Sequence, residues 1–314
     1  MHNRFFGLPQ NLNDDINESK IPQLEGEDSA VVSQYFWLIN QIIEIKQLFS
    51  VFQFNRLAMD HFYELFVSDE IVRRDTQNFI ENDFIAINAL VINFISSGKT
   101  LIEAIERFVK TGYGKESVFF KDFKSAVLSK AYDENFPYRF LLHIRNFAQH
   151  GHLPVSQNTN KFCFDFTQIL ETLHININTS LAEEMERIEN EIIEKYTDIP
   201  RIALVFTLAN FNMGVVNVCA EFLDRIKSDI EVVLSCLRSM LNDRTDIIYK
   251  SKGDLHGYAI CKLSDGSIHS FHPNDDFALT FSEFQAEVHE MLNIEAVELE
   301  EIRKNFFSLQ SDLK

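Results

Sequence analysis

Glycine and proline are scarce in this chain, with 10 Gly and 6 Pro among 314 residues. These residues supply most of the turns in proteins built from many short strands, so their scarcity disfavours a predominantly β fold. Long helices with short connections are favoured instead. The 30 Phe residues and a hydrophobic content of 46% provide enough apolar surface for a substantial core, which excludes wholesale disorder.

Cysteine is also rare, and its four copies are widely scattered. No two of them form a Cys-x-x-Cys pair, so the sequence does not support a zinc site of that type. We expect free, buried thiols in a reducing compartment. The residues concerned are Cys163, Cys219, Cys236 and Cys261.

Long apolar runs are missing as well. The longest, Phe84–Ile95, is too short for a bilayer-spanning helix, which needs about 20 residues, and it contains two Asn. The N-terminal stretch Met1–Asp15 lacks the basic and then apolar pattern of a signal peptide. The sequence therefore predicts a cytoplasmic protein.

Basic residues are too few to balance the acidic ones: 29 Lys and Arg stand against 47 Asp and Glu, a net charge of −18. This balance argues against a general nucleic-acid binder. The charge is uneven, however, because residues 99–153 contain nine basic and six acidic side chains. A locally basic surface on an acidic protein would bind RNA selectively.

Apolar residues recur at helical spacing in the N-terminal half. Leu38, Ile42, Ile45 and Phe49 follow at intervals of four, three and four residues, which places them on one helix face. Near the C-terminus, alternating residues around Ser264–Gly266 predict a β-hairpin. We therefore predict a mainly α protein: an antiparallel helical bundle with a helical extension and a small C-terminal β-hairpin plus helix.

Changes in composition divide the chain into four parts, with the polar stretch Ser156–Asn160 as the main linker. We expect a helix break at Ser96–Thr100 and two helical pieces between Arg201 and Leu241. The four parts are an N-terminal arm (residues 1–30), a helical domain (31–155), a helical extension (161–245) and a C-terminal ββα segment (246–314).

The stretch Phe136–Gly151 concentrates reactive polar groups on one short, patterned helix. Pro137 suits the first turn, where a missing N–H costs nothing, and Gly151 suits the helix end. On a wheel of about 100° per residue, apolar and polar residues separate into opposite arcs. The core arc holds Phe140, Leu141, Ile144, Phe147 and Ala148. The polar arc holds Leu142, His143, Arg145, Asn146, Gln149 and His150.

Three residues of the polar arc suit the cleavage of RNA without a metal ion. That reaction needs a base for the 2′-hydroxyl, an acid for the departing 5′-oxygen and a cation for the charged phosphorane. His150 suits either proton-transfer role, since imidazole changes charge near neutral pH. Arg145 suits the cation, because its planar fork matches phosphate oxygens. Asn146 is placed to hold the imidazole or a phosphate oxygen. The alternative is that these are ordinary surface residues of an amphipathic helix.

The run Arg145-Asn146-Phe147-Ala148-Gln149-His150 resembles the Arg-x-x-x-x-His motif of the HEPN superfamily of ribonucleases. The resemblance covers roughly residues 31–154. It implies a metal-independent endoribonuclease that leaves a 2′,3′-cyclic phosphate and needs no cofactor. It also implies a homodimer, in which two copies of the helix form one cleft with two Arg and two His. Families of this kind often act as toxins or in defence against phage, some with an antitoxin or another regulatory protein as partner.

Neighbouring residues are candidates for supporting roles in such a cleft. Leu142 is an apolar residue within the polar arc, so we expect it to contact another protein surface in the dimer. The substrate-binding candidates are His143, Arg139 and His152. The candidates for a helper acid are Glu81 and Asp83.

Two other interpretations of the chain belong to different classes. In the first, the helical region is a non-catalytic interaction module that binds a protein partner. In the second, weaker one, the chain is a nucleotide sensor. Ser96-Ser-Gly-Lys-Thr100 resembles the end of a P-loop, but Asn93 stands where the motif requires Gly. A metal site on the C-terminal hairpin is a further alternative to solvated turn residues; its members would be His269, His272, Asp275 and Asp276.

Overall fold

The computed structural model describes residues 21–68, 77–158, 161–175, 182–183, 185–187, 189–190, 201–249, 258–271 and 277–311. It is mainly helical, which confirms the predicted fold class. A π-helical turn, Lys124–Ser129, separates two of the helices. The helices are α1 Gly26–Ser68, α2 Gln77–Tyr113, α3 Val118–Phe123, α4 Lys130–Glu134, α5 Phe136–Gln149, α6 Phe166–Ile175, α7 Leu204–Asp243 and α8 Phe277–Ser311.

The described strands form two three-stranded antiparallel sheets. The C-terminal hairpin followed by a long helix is present as predicted, with its turn at Ser264–Gly266. The strands of the first sheet are β1 Ser156–Asn158, β2 Lys161–Asp165 and β3 Arg201–Ala203. Those of the second sheet are β4 Ile248–Tyr249, β5 Tyr258–Lys262 and β6 Ile268–Phe271.

The chain divides into two compact units by its internal contacts. One takes in the described residues of Met1–Glu44 and Leu223–Gln285, and the other those of Ile45–Phe222 and Ala286–Lys314. The division predicted from composition consists of four consecutive parts, whereas each of these units combines two separate stretches of the chain. The four-part division stays a prediction.

In the first unit, the sheet order is β4-β5-β6, and residues just before α1 extend it. Gln23 makes a parallel bridge to Lys262, with Leu24 N donating to Lys262 O at 2.8 Å and Lys262 N donating to Pro22 O at 3.0 Å. Arg244 forms an ion pair at 2.9 Å with Asp28 in the first turn of α1, and another at 2.9 Å with the nearby Asp246. These contacts fix the start of α1 against the C-terminal hairpin.

In the second unit, aromatic rings fill the space between three long helices. Phe52 of α1 and Phe94 of α2 stack with centroids 5.0 Å apart, and Phe211 of α7 packs edge-on against Phe94 at 5.5 Å. All three side chains are fully buried. Such a cluster buries a large apolar area and favours T-shaped ring pairs, so it holds the three helices in register.

An ion-pair cluster joins the same unit's helices α1 and α8. Arg56 Nη1 lies 2.7 Å from Glu295 Oε1, and Arg56 Nη2 lies 2.8 Å from Glu298 Oε2. Asp60 is a weaker third partner, 3.4 Å from Arg56 Nε. The Glu295 side chain is almost fully buried, so this carboxylate depends on Arg56 for its charge compensation.

Helix α2 continues through Ser96–Thr100, so the predicted break there is wrong. Thr100 does not cap a new helix; its hydroxyl donates to Ser96 O at 2.8 Å within the same helix. The expected division of residues 201–241 into two pieces is also wrong, because α7 is continuous over Leu204–Asp243. In both cases the apolar stripe of the helix is buried against neighbours, and packing outweighs the weak local breaker signal.

The polar stretch predicted as a linker contains a strand instead. Ser156–Asn158 pairs antiparallel with Lys161–Asp165, and β2 pairs in turn with Arg201–Ala203. The polar residues lie on an edge strand, where side chains of this type are common. Strand β2 carries the aromatic residues Phe162 and Phe164 at alternate positions.

The four cysteines are unpaired, as expected. Three are buried, and burial raises the pKa of the Cys261 thiol to about 12. Cys236 is exposed, so the expectation of burial fails there.

Two helices are long and apolar enough to cross a membrane when judged by length and composition alone, Asp83–Tyr113 and Leu204–Asp243. The run Phe84–Ile95 therefore belongs to a longer helix than its apolar length indicated. Core helices of water-soluble proteins meet the same criterion, and the most apolar window of the second helix is 67% buried. The cytoplasmic location stays a prediction.

Candidate functional site

Helix α5 is fixed at both ends by local backbone chemistry. Asn135 is its N-cap, accepting a hydrogen bond from Tyr138 N at 3.0 Å, and Pro137 lies in the first turn. The Asn135 amide also donates to Asn210 O of α7 at 3.1 Å. At the other end, Gly151 has φ +90°, which favours glycine and ends the helix at His150. The start and stop predicted for this helix agree with the structure.

The predicted core arc of α5 is confirmed. Phe140, Leu141, Ile144 and Phe147 are buried, and Ala148 is half-buried. Phe140 stacks on Phe166 with centroids 5.0 Å apart. With one face of the helix packed in this way, the opposite arc carries the candidate functional groups.

Arg145 and His150 lie in different surroundings on that arc. Arg145 is half-buried, and its Nε is enclosed without a hydrogen-bond partner among the described residues. His150 is exposed at the helix end, with its backbone N–H near Asn146 O at 3.3 Å and Phe147 O at 3.2 Å. The two Cα atoms are separated by a rise of about 7.5 Å along the helix axis.

The surroundings of Arg145 have a chemical consequence. A guanidinium that is partly shielded from water, with no carboxylate partner in the part of the chain that the structure describes, attracts an anion more strongly than a solvated one. His150, being exposed, is accessible for proton exchange with solvent or with a bound molecule. Asn146, half-buried between them in sequence, can contribute a neutral amide to the same face. The arrangement is suited to an anionic ligand that also needs a proton donor or acceptor.

His143 is held by an aromatic partner outside α5. Its Nε2 lies 2.9 Å from the hydroxyl of Tyr132 on α4, with the two rings in an edge-on arrangement. The side chain is half-buried. This hydrogen bond fixes the orientation of the imidazole, a feature that sequence analysis missed because Tyr132 lies on another helix.

Arg139 does not lie at a rim, as its predicted substrate-binding role required. It is 5% exposed, its Nη1 donates to Asp133 O at 3.3 Å, and its guanidinium lies 6.0 Å from the Tyr132 ring centroid and 5.9 Å from that of Phe136. These contacts favour a structural role, so the expected placement is corrected. Two aromatic rings, those of Tyr132 and Phe136, lie against its guanidinium.

The other predicted residues differ in burial, and the contacts of the structure do not assign them a role. His152 is half-buried, with its ring 4.8 Å from that of Phe147. Leu142 is half-buried within the polar arc. Asp83 is 8% exposed, and the side chain of Glu81 lies outside the described residues. The substrate-binding, dimer-contact and helper-acid roles of these residues stay predictions.

Asn88 is a residue of this region that sequence analysis missed. Its buried amide accepts from Val155 N at 2.9 Å and donates to Val155 O at 3.2 Å. In this way α2 holds the backbone that leaves the His150 end of α5. An Asn inside the apolar run Phe84–Ile95 was the available signal, because a buried amide requires polar partners.

The alternative site on the C-terminal hairpin is only partly described. His269 lies 4.5 Å from the ring of Phe36, and Ser267 Oγ lies 3.0 Å from its Nε2. Burial lowers the pKa of His269, and Asp265 opposes this shift. His272, Asp275 and Asp276 lie outside the described residues, and the described residues contain no group of three or more potential metal ligands of the His, Cys, Asp or Glu type.

No protein-family model, curated protein or solved structure matches the chain.

Proposed function

We propose that this chain is a metal-independent endoribonuclease of HEPN type, with Arg145, Asn146 and His150 of α5 as its site. The observation that carries the proposal is the shielded guanidinium of Arg145. Its Nε has no partner among the described residues, while an exposed imidazole ends the same helix. A shielded donor without a protein partner is free to donate to a bound anion, which supports a role for Arg145 in contacting a phosphate.

The proposed reaction needs only groups that the polypeptide supplies. The imidazole of His150 accepts the proton of a 2′-hydroxyl, whose oxygen attacks the adjacent phosphorus. The P–O5′ bond breaks, and the 5′-oxygen takes a proton from a second imidazolium. The products are a 2′,3′-cyclic phosphate and a 5′-hydroxyl. Arg145 stabilises the additional negative charge of the phosphorane by hydrogen bonds from its fork.

The second imidazolium would come from another copy of the chain. The resemblance of Arg145–His150 to HEPN sites supports a two-fold arrangement in which both helices contribute one Arg and one His. Leu142 would then contact the partner, which accounts for a half-buried leucine within a polar arc. The same resemblance supports a role as a toxin or in defence against phage.

The proposal is tested by following cleavage of labelled RNA by the purified protein, with and without EDTA. We expect cleavage in EDTA, and a loss of about 100-fold or more in Arg145→Ala and His150→Ala. Arg238→Ala and His61→Ala are matched controls, since both residues are exposed and lie outside α5. Unchanged cleavage by folded Arg145→Ala and His150→Ala would reject the proposal.

A second candidate function is a non-catalytic module that binds a protein partner. It is favoured by an apolar stripe on α1, where Val51, Phe54 and Leu57 are 51%, 71% and 60% exposed. This candidate gives no RNA cleavage at any pH. Gel filtration of Leu142→Asp distinguishes the two functions. If the wild-type dimer cleaves RNA and the variant is a monomer that does not, the composite site is supported. If the variant is a monomer but the wild-type dimer never cleaves RNA, the interaction module is supported.

A further inference from the structure

A π-helical turn ends three residues before Tyr132, the residue that contacts His143. Residues Lys124–Ser129 form a π-helical turn between α3 and α4. Phe123 and Val127, four residues apart, are buried on one side, and Tyr132 follows Val127 at a spacing of five. Tyr132 itself lies in α4, three residues beyond the turn. Such turns are rare and frequently occur at functional sites.

The hydroxyl of Tyr132 is directed at a single imidazole nitrogen. It lies 2.9 Å from His143 Nε2, a normal hydrogen-bond length, with ring centroids 6.2 Å apart. This bond also bears on Nδ1, because the hydrogen bond made by one ring nitrogen sets the protonation of the other.

Tyr132 is itself held from a second direction. The guanidinium of Arg139 lies 6.0 Å from its ring centroid and is anchored by a hydrogen bond from Nη1 to Asp133 O. Arg139 is 5% exposed, so this cation–π contact is shielded from water. A buried arginine thus packs on the tyrosine whose hydroxyl contacts His143.

His143 and His150 share one stripe of α5. They are seven residues apart, which is two helical turns, and their Cα atoms are separated by about 10.5 Å along the axis. Two imidazoles spaced in this way suit two backbone groups of one strand better than a single phosphate. An RNA strand lying along α5 would instead meet His150 at the cut and His143 at a neighbouring backbone group.

We infer that His143 binds a backbone phosphate flanking the cleaved one, and that Tyr132 is its positioning residue. The inference rests on the proposed function, since it takes the ligand of the α5 stripe to be an RNA strand. Two turns of one helix would then hold the strand in place while the chemistry occurs at the helix end. His143 contributes to affinity and leaves the rate of the chemical step unchanged.

The inference is tested by binding of a single-stranded RNA whose 2′-hydroxyls are all methylated, so that cleavage cannot occur. We expect His143→Gln and Tyr132→Phe each to raise the Kd by about threefold to tenfold, the range that loss of one hydrogen bond produces. Tyr132→Phe keeps the ring beneath Arg139, so the variant should stay folded at the assay temperature. His61→Gln, an exposed histidine on α1, is the matched control and should bind like the wild type.

Two readouts separate positioning from a merely structural role. With cleavable RNA, both variants should raise KM and leave kcat unchanged. The imidazole ¹⁵N shifts of His143 should change in Tyr132→Phe, because the bond that selects the tautomer is removed.

Wild-type affinity in both variants would overturn the inference, as would a wild-type protein that does not bind the methylated RNA. The cleavage assay with Arg145→Ala and His150→Ala reports on the proposed function separately. Weaker binding by the Tyr132 and His143 variants, combined with unchanged cleavage by the Arg145 and His150 variants, would retain the RNA contact and reject the assigned cleavage site.

Discussion

The ring of Phe211 on α7 lies directly against Gly98 on α2. A Cβ added at Gly98 would be 2.8 Å from Phe211 Cε1, and 3.0 Å from both Phe211 Cζ and Phe52 Cε2. Gly98 therefore allows three helices to approach within the aromatic cluster. The glycine that looked like a helix breaker in the sequence is a packing residue inside a continuous helix.

We predict that Gly98→Ala destabilises the protein, although alanine is the better helix former by about 1 kcal/mol. Two aromatic rings would have to move within a packed core, which costs about 1–3 kcal/mol. Urea unfolding followed by circular dichroism measures the change. Gly112→Ala, at an exposed position of the same helix, is the control and should be neutral or stabilising. Equal effects of the two substitutions would show that the Phe211 contact is unimportant.

Asn88→Ala should destabilise the protein by about 2–4 kcal/mol, because it leaves the buried N–H and C=O groups of Val155 without their partner. The same substitution should reduce RNA cleavage, since Asn88 holds the segment that follows His150 and Gly151. Unfolding free energy and initial cleavage rates below the unfolding transition give the two readouts. Asn93→Ala, exposed on the same helix, is the control; a similar loss of stability there would contradict the prediction.

Glu295 should make stability depend on pH in a defined direction. Burial raises the pKa of its carboxyl above the ordinary 4.5, and Arg56 opposes that shift. The folded state therefore holds this proton more tightly than the unfolded state, so the free energy of unfolding falls as pH rises above about 4.5. Glu295→Gln removes this dependence, and its stability relative to the wild type should rise between pH 4 and pH 7.

The measurement is a series of urea unfolding curves across that pH range for Glu295→Gln and for an exposed control, Glu301→Gln. The control should follow the wild-type pH profile. A Glu295→Gln variant whose stability relative to the wild type falls as pH rises would show that the ion pair with Arg56 dominates over burial.

The helices and their buried faces were predictable because their signal is local. The arc from Phe140 to Ala148 follows the helical period, and Asn135, Pro137 and Gly151 are standard residues for the ends of a helix. The C-terminal hairpin was predictable for the same reason, since alternation and a Ser-Asp-Gly turn occur within a few residues.

What the sequence did not predict depends on residues that are far apart in the chain. Continuity of α2 at Gly98 depends on Phe211, and the burial of Arg139 depends in part on Tyr132 of the neighbouring helix α4. A helical wheel shows only which positions share a face of one helix. It therefore cannot show that the rings of Tyr132 and Phe136 cover Arg139. The partner of His143 was missed for the same reason, because Tyr132 lies on another helix, α4.

The short segment that precedes α1 completes the backbone pairing at one end of the C-terminal hairpin. Pro22 and Leu24 supply the backbone partners of Lys262 at the end of β5. Without them, that end of the strand would present unsatisfied N–H and C=O groups, which recruit extended segments of other molecules. Cleavage by a protease between this segment and α1 would therefore promote aggregation before it caused global unfolding.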